Sequence, residues 1–143
     1  MMLRFESSGD ELQMLTNLMT VNETYFFREE YQFKCLVRSI LGEITRSKSD
    51  SLPIRIWSMP SSSGEEAYSI AIYLLEHWSG INQWDIEIIS SDIDTAILAR
   101  ARRGLYTPRS VQQLPPAILA KYFKEQGDGY QVHDDLRQSV EFT

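Results

Sequence analysis

The chain has 143 residues, of which 43% are hydrophobic and 24% charged, and its formal net charge is -6; this is the size and composition of one globular domain with its own core. The negative charge argues against a nucleic-acid or anionic-membrane partner, the single cysteine excludes an internal disulfide, and two distant histidines, His77 and His133, argue against a metal site. No apolar run reaches the roughly 20 residues of a membrane span, and the N-terminus is too soon polar for a signal peptide, so we expect a cytoplasmic protein without membrane insertion.

The first 50 residues predict two helices. Ser8 and Glu11 have the spacing of a capping box, which indicates a helix start. The apolar stripe that follows consists of Leu12, Leu15, Leu18 and Met19. A second helix is predicted over about residues 28–45, and helical spacing marks its buried face. That face consists of Phe33, Leu36, Val37, Ile40, Leu41 and Ile44. Cys35 has apolar neighbours and is expected to be a buried, unreactive thiol, with a reactive thiol as the alternative.

The middle of the chain alternates between strand and helix patterns. Residues 54–57 have the composition of a buried strand, and residues 84–90 predict a second strand. One helix is predicted over 64–78 and another over 95–103, the latter with Asp94 as N-cap and Gly104 as C-cap. The packing face of the first of these helices consists of Ala67, Ile70, Ala71, Leu74 and Leu75. This order predicts an α/β fold with a parallel sheet and right-handed crossovers.

The last third of the chain predicts shorter elements. Prolines interrupt residues 105–116, which are expected to form a loop, and residues 117–123 predict a short helix. After a turn at 126–129, residues 130–132 are expected to pair with residues 136–138. Residues 140–143 have the composition of the start of another buried strand.

The turn after the first strand has features of a ligand-binding turn. Small residues at 61–64 follow the carboxyl end of a predicted parallel strand and open a helix, which leaves backbone N–H groups facing a crevice. The turn is neither G-x-G-x-x-G nor a P-loop, which argues against a dinucleotide-dependent oxidoreductase. Glu65 and Glu66 would suit a cationic ligand such as a sulfonium or an amino group; alternatively, they only stabilise the helix macrodipole.

Two further groups of polar residues are candidates for ligand binding. Asp92 ends the second predicted strand, where an acid binds ribose hydroxyls in such folds; the alternative is a loop acid facing water. Asn22 and Thr24 precede Arg28, whose guanidinium can fork onto a carboxylate. Taken alone, this second group would be read as a helix N-cap followed by a surface arginine.

Together these stretches resemble the chemotaxis-receptor protein methyltransferase family, usually called CheR. Members carry N-x-T-x-F-F-R-E, present here as N-E-T-Y-F-F-R-E at 22–29. They carry R-V/I-W-S, a small-residue turn and G-E-E-P-Y-S, present as R-I-W-S at 55–58 and G-E-E-A-Y-S at 64–69. They also carry S/T-D-I-D with G-x-Y, and L-P with K/R-Y-F, present at 91–94, 104–106, 114–115 and 121–123. Four motifs in the same order, from about residue 19 to residue 142, make the resemblance specific.

The resemblance implies a Rossmann-like fold that moves a methyl group from S-adenosylmethionine to glutamate carboxylates of chemoreceptors, with S-adenosylhomocysteine as product. It implies that Asn22, Thr24 and Arg28 line the donor pocket, that Glu66 binds the methionine end and that Asp92 binds the ribose. Arg28 is also implied as the catalytic residue, because it would orient the anionic nucleophile. The expected partners are the cytoplasmic helices of chemoreceptors that carry these glutamates.

The sequence departs from the family pattern in three ways. Met59 and Pro60 replace a usual small pair, and Ala67 replaces a usual proline. The preceding helical domain is reduced to a stub, and the chain ends near the third strand. We therefore expect a truncated methyltransferase fold, with a helical lead-in at 1–50 and the first half of the methyltransferase domain at 51–143. The alternative to an enzyme is an inactive fragment or a non-enzymatic cofactor-binding or regulatory module. The absent neighbour strand would leave Ile54 to Trp57 as an open apolar edge, which predicts a homodimer.

Overall fold

The fold is built on a parallel three-stranded sheet. A computed structural model of the chain describes residues 9–19 and 24–143. The strands of this sheet are β1 (Ile54–Ser58), β2 (Ile86–Ser90) and β6 (Val140–Phe142). They lie in the order β1-β2-β6, with Ile54 opposite Ile86 and Ile88 opposite Val140, and both pairings are parallel. The α/β fold with a parallel sheet is therefore confirmed.

A second, antiparallel sheet interrupts the connection between β2 and β6. Its strands β3 (Leu105–Tyr106), β4 (Phe123–Gln126) and β5 (Gly129–Val132) lie in the order β3-β5-β4. The predicted pairing of residues 130–132 with 136–138 is wrong, because β5 pairs with β4 and residues 134–138 form the helix α8 (Asp134–Gln138). Gly127 has a φ of 58° and closes the tight turn of this hairpin. Local pairing across a short turn therefore replaces the predicted pairing.

The predicted loop at 105–116 also contains regular structure. It holds β3 and the helical turn α6 (Pro108–Val111), and α7 (Pro116–Tyr122) follows. The side chain of Thr107 accepts a hydrogen bond from the backbone N–H of Ser110 and begins α6. Prolines at the first position of both helical segments start these helices rather than interrupt them.

Two helices follow the first two strands, as predicted. They are α4 (Glu65–His77) and α5 (Thr95–Arg103), and a 3₁₀ turn (Ser79–Asn82) lies between α4 and β2. The Asp94 side chain accepts from the N–H groups of Ala96 and Ile97 at 2.9 and 3.0 Å, and Gly104 ends α5 at a φ of 64°. Both predicted caps are confirmed. Of the predicted packing face of α4, Leu75 alone is exposed, at 48%.

The N-terminal helices match the prediction in position but not in every buried residue. α1 (Gly9–Met19) lies against α5, and Gln13 Nε2 donates to the carbonyl of Ile93 in the loop that precedes α5. α2 (Tyr31–Cys35), a π-helical segment (Leu36–Ile40) and α3 (Leu41–Ser47) follow one another without a break. The predicted burial of Ile40 and Cys35 is wrong, since both are exposed. The π-helical turn changes the residue spacing, and Cys35 lies two positions after the buried Phe33, on the opposite helix face. The apolar stripe of α1 is exposed, and its predicted capping serine lies outside the described residues.

The core surrounds α4, and β1 forms one border of the parallel sheet. The largest fully buried side chains are those of Tyr68, Phe26, Leu41, Ile72, Leu74 and Val132. Within the described residues β1 has β2 as its one neighbour, as the edge prediction requires. Ile54 is buried, but Trp57 is 66% exposed, which corrects the expected burial of the whole strand. The division of the chain into a helical lead-in at 1–50 and the first half of a methyltransferase domain at 51–143 stays a prediction. Among residues 9–19 and 24–143, no helix is long and apolar enough to cross a membrane.

Candidate functional site

The turn between β1 and α4 lies at the carboxyl edge of the parallel sheet and is tied to the end of β2. The Ser61 N–H donates to the carbonyl of Ser91 at 2.6 Å, and the Ser91 N–H donates to the carbonyl of Ser58 at 3.1 Å. Gly64 precedes α4 at a φ of 95°. The turn and the β2–α5 loop therefore form one hydrogen-bonded unit, which we call the carboxyl-edge turn (residues 58–64 with 91–94).

Asp92 holds this unit together through both carboxylate oxygens. Its Oδ2 accepts from the Ser62 N–H at 2.8 Å, and its Oδ1 accepts from the Asp94 N–H at 2.9 Å. A carboxylate has about four acceptor positions, so these two bonds leave capacity for two more donors. The side chain is half-buried, and a ligand at the edge can reach it.

Glu66 lies at the other side of the same turn. Its Oε1 accepts from the hydroxyl of Ser58 at 2.7 Å, and the residue is exposed. Because the carbonyl of Ser58 also accepts from the residue before Asp92, both acids bond to the same turn, Asp92 from within it and Glu66 from the start of α4. Their charge suits a cationic group at this edge.

Residues 24–28, which precede α2, form a strap across the start of α4. The Phe26 N–H donates to the carbonyl of Ser110 at 2.9 Å, and the Phe27 N–H donates to the hydroxyl of Ser69 at 3.1 Å. The Phe26 ring is fully buried and contacts the edge of the Tyr106 ring at 4.8 Å between centroids. The strap is thus held through its backbone, one helical turn after Glu66.

The strap carries two of the predicted site residues. Thr24 is half-buried and Arg28 is exposed. Asn22, the third member of this predicted group, lies outside the described residues. Arg28 follows directly after Phe27, so it begins beside the first turns of α4.

A polar cavity of about 420 Å³ lies beside the strap. Its lining includes Thr24, Ser63, Glu65, Arg100, Arg109 and Ser110. Arg28, Glu66 and Asp92 do not line it. The predicted site residues therefore fall into two groups. Glu66 and Asp92 bond to the carboxyl-edge turn, whereas Thr24 and Arg28 lie on the strap, and of these Thr24 also lines the cavity.

Glu65 is the polar residue that the sequence interpretation placed least well. It is 4% exposed; its Oε2 accepts from the hydroxyl of Ser63 at 2.6 Å and its Oε1 from that of Ser110 at 3.0 Å. Burial raises the pKa of Glu65, and the two hydroxyls and the charge of Arg100 oppose this rise. The sequence pattern predicts the same role for Glu65 and Glu66, but the structure buries the first and exposes the second.

The backbone donors of the turn are also used differently from the prediction. The N–H groups of Ser61, Ser62 and Gly64 donate to other groups of the carboxyl-edge turn, so they do not face a crevice. By contrast, the hydroxyls of Ser61 and Ser62 are buried and have no hydrogen-bond partner among the described residues. The peptide bond between Met59 and Pro60 is cis.

Comparison of the sequence with protein-family models shows which family the chain belongs to. The sequence model of the family "CheR methyltransferase, SAM binding domain" matches residues 22–143. The chain belongs to the CheR methyltransferase family. The family prediction is confirmed, and S-adenosylmethionine is the cofactor that the matched domain binds.

Several similar CheR-type proteins carry the name chemotaxis protein methyltransferase. The chain is 58% identical over 142 residues to chemotaxis protein methyltransferase 2 of Vibrio cholerae, covering 99% of this chain and 49% of that protein. It is 40% identical over 137 residues to chemotaxis protein methyltransferase 2 of Pseudomonas aeruginosa, covering 92% and 47%. It is 36% identical over 147 residues to the chemotaxis protein methyltransferase of Salmonella typhimurium, covering 99% and 48%. The chain spans about half the length of the curated relatives it matches.

The described residues fit this CheR cofactor. Asp92 retains acceptor capacity for two ribose hydroxyls, and Glu66 adds a negative charge at the same edge, where a sulfonium or an ammonium is favoured. The buried hydroxyls of Ser61 and Ser62 are further polar atoms of the turn whose partners the described residues do not supply.

Proposed function

We propose that the protein is an S-adenosylmethionine-dependent O-methyltransferase acting on glutamate side-chain carboxylates of chemoreceptors. The observation that carries the proposal is the meeting of Glu66 and Asp92 at one carboxyl-edge turn in a chain of the CheR family. An acid after β2 and an acid in the first turn of α4, both bonded to the same turn, suit a ligand that combines a ribose with a positive charge. The names of the relatives support chemoreceptors as the substrate class.

The residues of the edge would divide the binding of the donor between them. Asp92 would accept the ribose hydroxyls, and Glu66 would attract the methionine end. Asn22 and Thr24 would contribute polar contacts from the strap. When bound, the cofactor supplies an electrophilic methyl group. These residues would fix the orientation of the cofactor, and the two acids would favour binding of the positively charged cofactor over binding of anions.

Arg28 would act on the acceptor. A glutamate carboxylate is already a nucleophile when ionised, so the reaction needs alignment more than proton transfer. An arginine keeps its charge at any physiological pH and can hold a carboxylate through two parallel hydrogen bonds. Arg28 directly follows Phe27, whose N–H donates to Ser69 of α4, and this position beside the first turns of α4 supports the role.

Two measurements test the proposal: calorimetric binding of S-adenosylhomocysteine, and transfer of labelled methyl groups to a chemoreceptor cytoplasmic fragment. We expect Arg28→Ala to abolish transfer while the free energy of unfolding changes by less than about 0.5 kcal/mol. Arg46→Ala is the matched control, because Arg46 is an exposed arginine whose Nε donates to the carbonyl of Gly42 in its own helix. Transfer that survives in Arg28→Ala would remove the catalytic role. Binding without transfer in the unaltered chain would favour the non-enzymatic module instead.

The proposal includes the partners and the location. The acceptor would be the glutamate-bearing cytoplasmic helices of chemoreceptors, which would place the protein in the cytoplasm.

The free side of β1, with Trp57 exposed, would pair with a second copy and form a homodimer. Light scattering should then show a dimer that the charged variant Trp57→Lys weakens; a monomer at high concentration would contradict this part.

A further inference from the structure

The first turn of α4 contains a buried acid to which the proposed reaction gives no role. Glu65 is 4% exposed, and both of its carboxylate oxygens accept from serine hydroxyls rather than from a cation. Burying a carboxylate is unfavourable, and the charge of Arg100 opposes the effect of burial without cancelling it, since the pKa of Glu65 remains raised. An apolar side chain of similar volume often stabilises such a position better. Helix stability therefore does not explain why a carboxylate lies here.

The hydrogen bonds around Glu65 converge on the strap. The strap has two backbone anchors, Phe26 N–H on the carbonyl of Ser110 and Phe27 N–H on the hydroxyl of Ser69. The Ser110 hydroxyl donates to the Glu65 side chain at 3.0 Å, and the Ser69 hydroxyl donates to the Glu65 carbonyl at 2.5 Å. Both anchors of the strap thus end on one residue.

The same carboxylate also reaches the carboxyl-edge turn. Its other oxygen accepts from the Ser63 hydroxyl, and the carbonyl of Ser63 accepts from the Tyr106 hydroxyl at 2.6 Å. Glu65 therefore connects three separate segments: the strap, the turn and the segment that leads from β3 into α6. The segments lie far apart in sequence, since Ser110 is 45 positions from Glu65.

We propose that Glu65 is a positioning residue that fixes the strap relative to the carboxyl-edge turn and thereby sets the cofactor affinity. This inference rests on the proposed function, because Thr24 on the strap and Asp92 on the turn are the contacts that it aligns. Binding depends on the distance between these two groups, and a displacement of about 1 Å is enough to weaken a preorganised site. Glu65 acts through Ser63 and Ser110 and does not itself touch the cofactor.

The test uses two variants of Glu65 in the full chain. Glu65→Met keeps the volume of the side chain and removes both hydrogen bonds. Glu65→Gln keeps them, because a serine hydroxyl can either donate to the amide oxygen or accept from the amide N–H. We expect Glu65→Met to weaken S-adenosylhomocysteine binding about threefold to tenfold, as the loss of one or two hydrogen bonds predicts, and Glu65→Gln to restore most of the affinity.

Hydrogen exchange supplies a readout that does not need the cofactor. In Glu65→Met the amide of Phe26 should exchange faster, because its anchor Ser110 loses the bond to the carboxylate. The amides of Phe27, whose anchor Ser69 bonds to the backbone carbonyl of residue 65, and of Ile88 in β2 should keep their rates. Ser110→Ala should reproduce the change at Phe26, and it carries the test if Glu65→Met does not fold. The double variant, Glu65→Met with Ser110→Ala, should bind S-adenosylhomocysteine as tightly as Glu65→Met alone, because both changes break the same connection.

Glu76→Met is the matched control for a purely structural effect. Glu76 lies on the same helix and accepts from Lys121 and Tyr122, away from the strap. It should lower stability without changing affinity or strap exchange. If Glu65→Met behaves like Glu76→Met, the positioning role is refuted. If the unaltered chain does not bind S-adenosylhomocysteine at millimolar concentration, the proposed function and the affinity claim both fail, and unchanged exchange at Phe26 in Glu65→Met would refute the strap connection separately.

Discussion

Replacement of Asp92 by asparagine should separate its structural role from its role in binding. Both oxygens of Asp92 accept backbone N–H groups, from Ser62 at 2.8 Å and from Asp94 at 2.9 Å. An asparagine has one oxygen, so whichever way the amide turns, one of these two N–H groups faces an NH₂ group. The variant loses one charged hydrogen bond and weakens the other.

The structure sets the size of the expected effect. A hydrogen bond to a charged group contributes about 1.5–3 kcal/mol and a neutral one about 0.5–1.5 kcal/mol. Because Asp92 is half-buried, water can partly satisfy the freed N–H, and we expect Asp92→Asn to lower the free energy of unfolding by about 2 kcal/mol. The affinity for S-adenosylhomocysteine should fall a further tenfold or more, on the order of the loss of a charged bond to a ribose hydroxyl.

Urea denaturation followed by circular dichroism measures the first effect, and calorimetry under folding conditions measures the second. Asp128→Asn is the control, since Asp128 is an exposed acid in the β4–β5 turn. Unchanged stability would refute the idea that Asp92 ties the turn to the β2–α5 loop. Lower stability with unchanged affinity would refute its assignment to the ribose.

Two other predictions concern the start of α4. Gly64→Ala should destabilise the fold by about 2–5 kcal/mol in urea denaturation, because φ is 95° and the added Cβ would lie 3.0 Å from Tyr106 Oη and 3.1 Å from Phe142 Cζ; a loss below 1 kcal/mol would show that the turn relaxes freely. The raised pKa of Glu65 means that the folded state favours the protonated acid, so its contribution is fully present below the ordinary pKa of 4.5 and is lost as the pH rises through the folded pKa. The free energy of unfolding of the unaltered chain, relative to Glu65→Gln, should therefore fall over that window, and a flat difference would contradict the shift.

The parallel sheet could be predicted because its elements have strong local patterns. β1 (I-R-I-W-S) and β2 (I-E-I-I-S) are rich in isoleucine, and α5 has a cap at each end, Asp94 and Gly104. The antiparallel sheet could not, because β3 has two residues and β4 has one buried side chain, Phe123. Such strands are specified by their partners rather than by their own composition.

The site could be predicted as far as a general rule of α/β sheets extends. The carboxyl ends of adjacent parallel strands lie side by side, which is why Asp92, after β2, and Glu66, in the first turn of the helix after β1, bond to the same turn. The role of Glu65 does not follow from this rule, because α4 is buried on nearly all sides and helical spacing does not distinguish its faces. Its partner Ser110 lies in a segment that was predicted to be a loop.

The inserted antiparallel sheet has a consequence for the order of folding. β6 can join β2 only after the long stretch between Ser90 and Val140 has closed, and loop closure is entropically unfavourable. The β4–β5 hairpin needs only a two-residue reversal at Asp128, so it can form early and shorten the effective tether. We expect substitutions at Val132 in the hairpin to slow refolding, whereas substitutions at Phe142 should mainly accelerate unfolding. Early pairing within the insertion would thus shorten the loop that the pairing of β2 with β6 has to close.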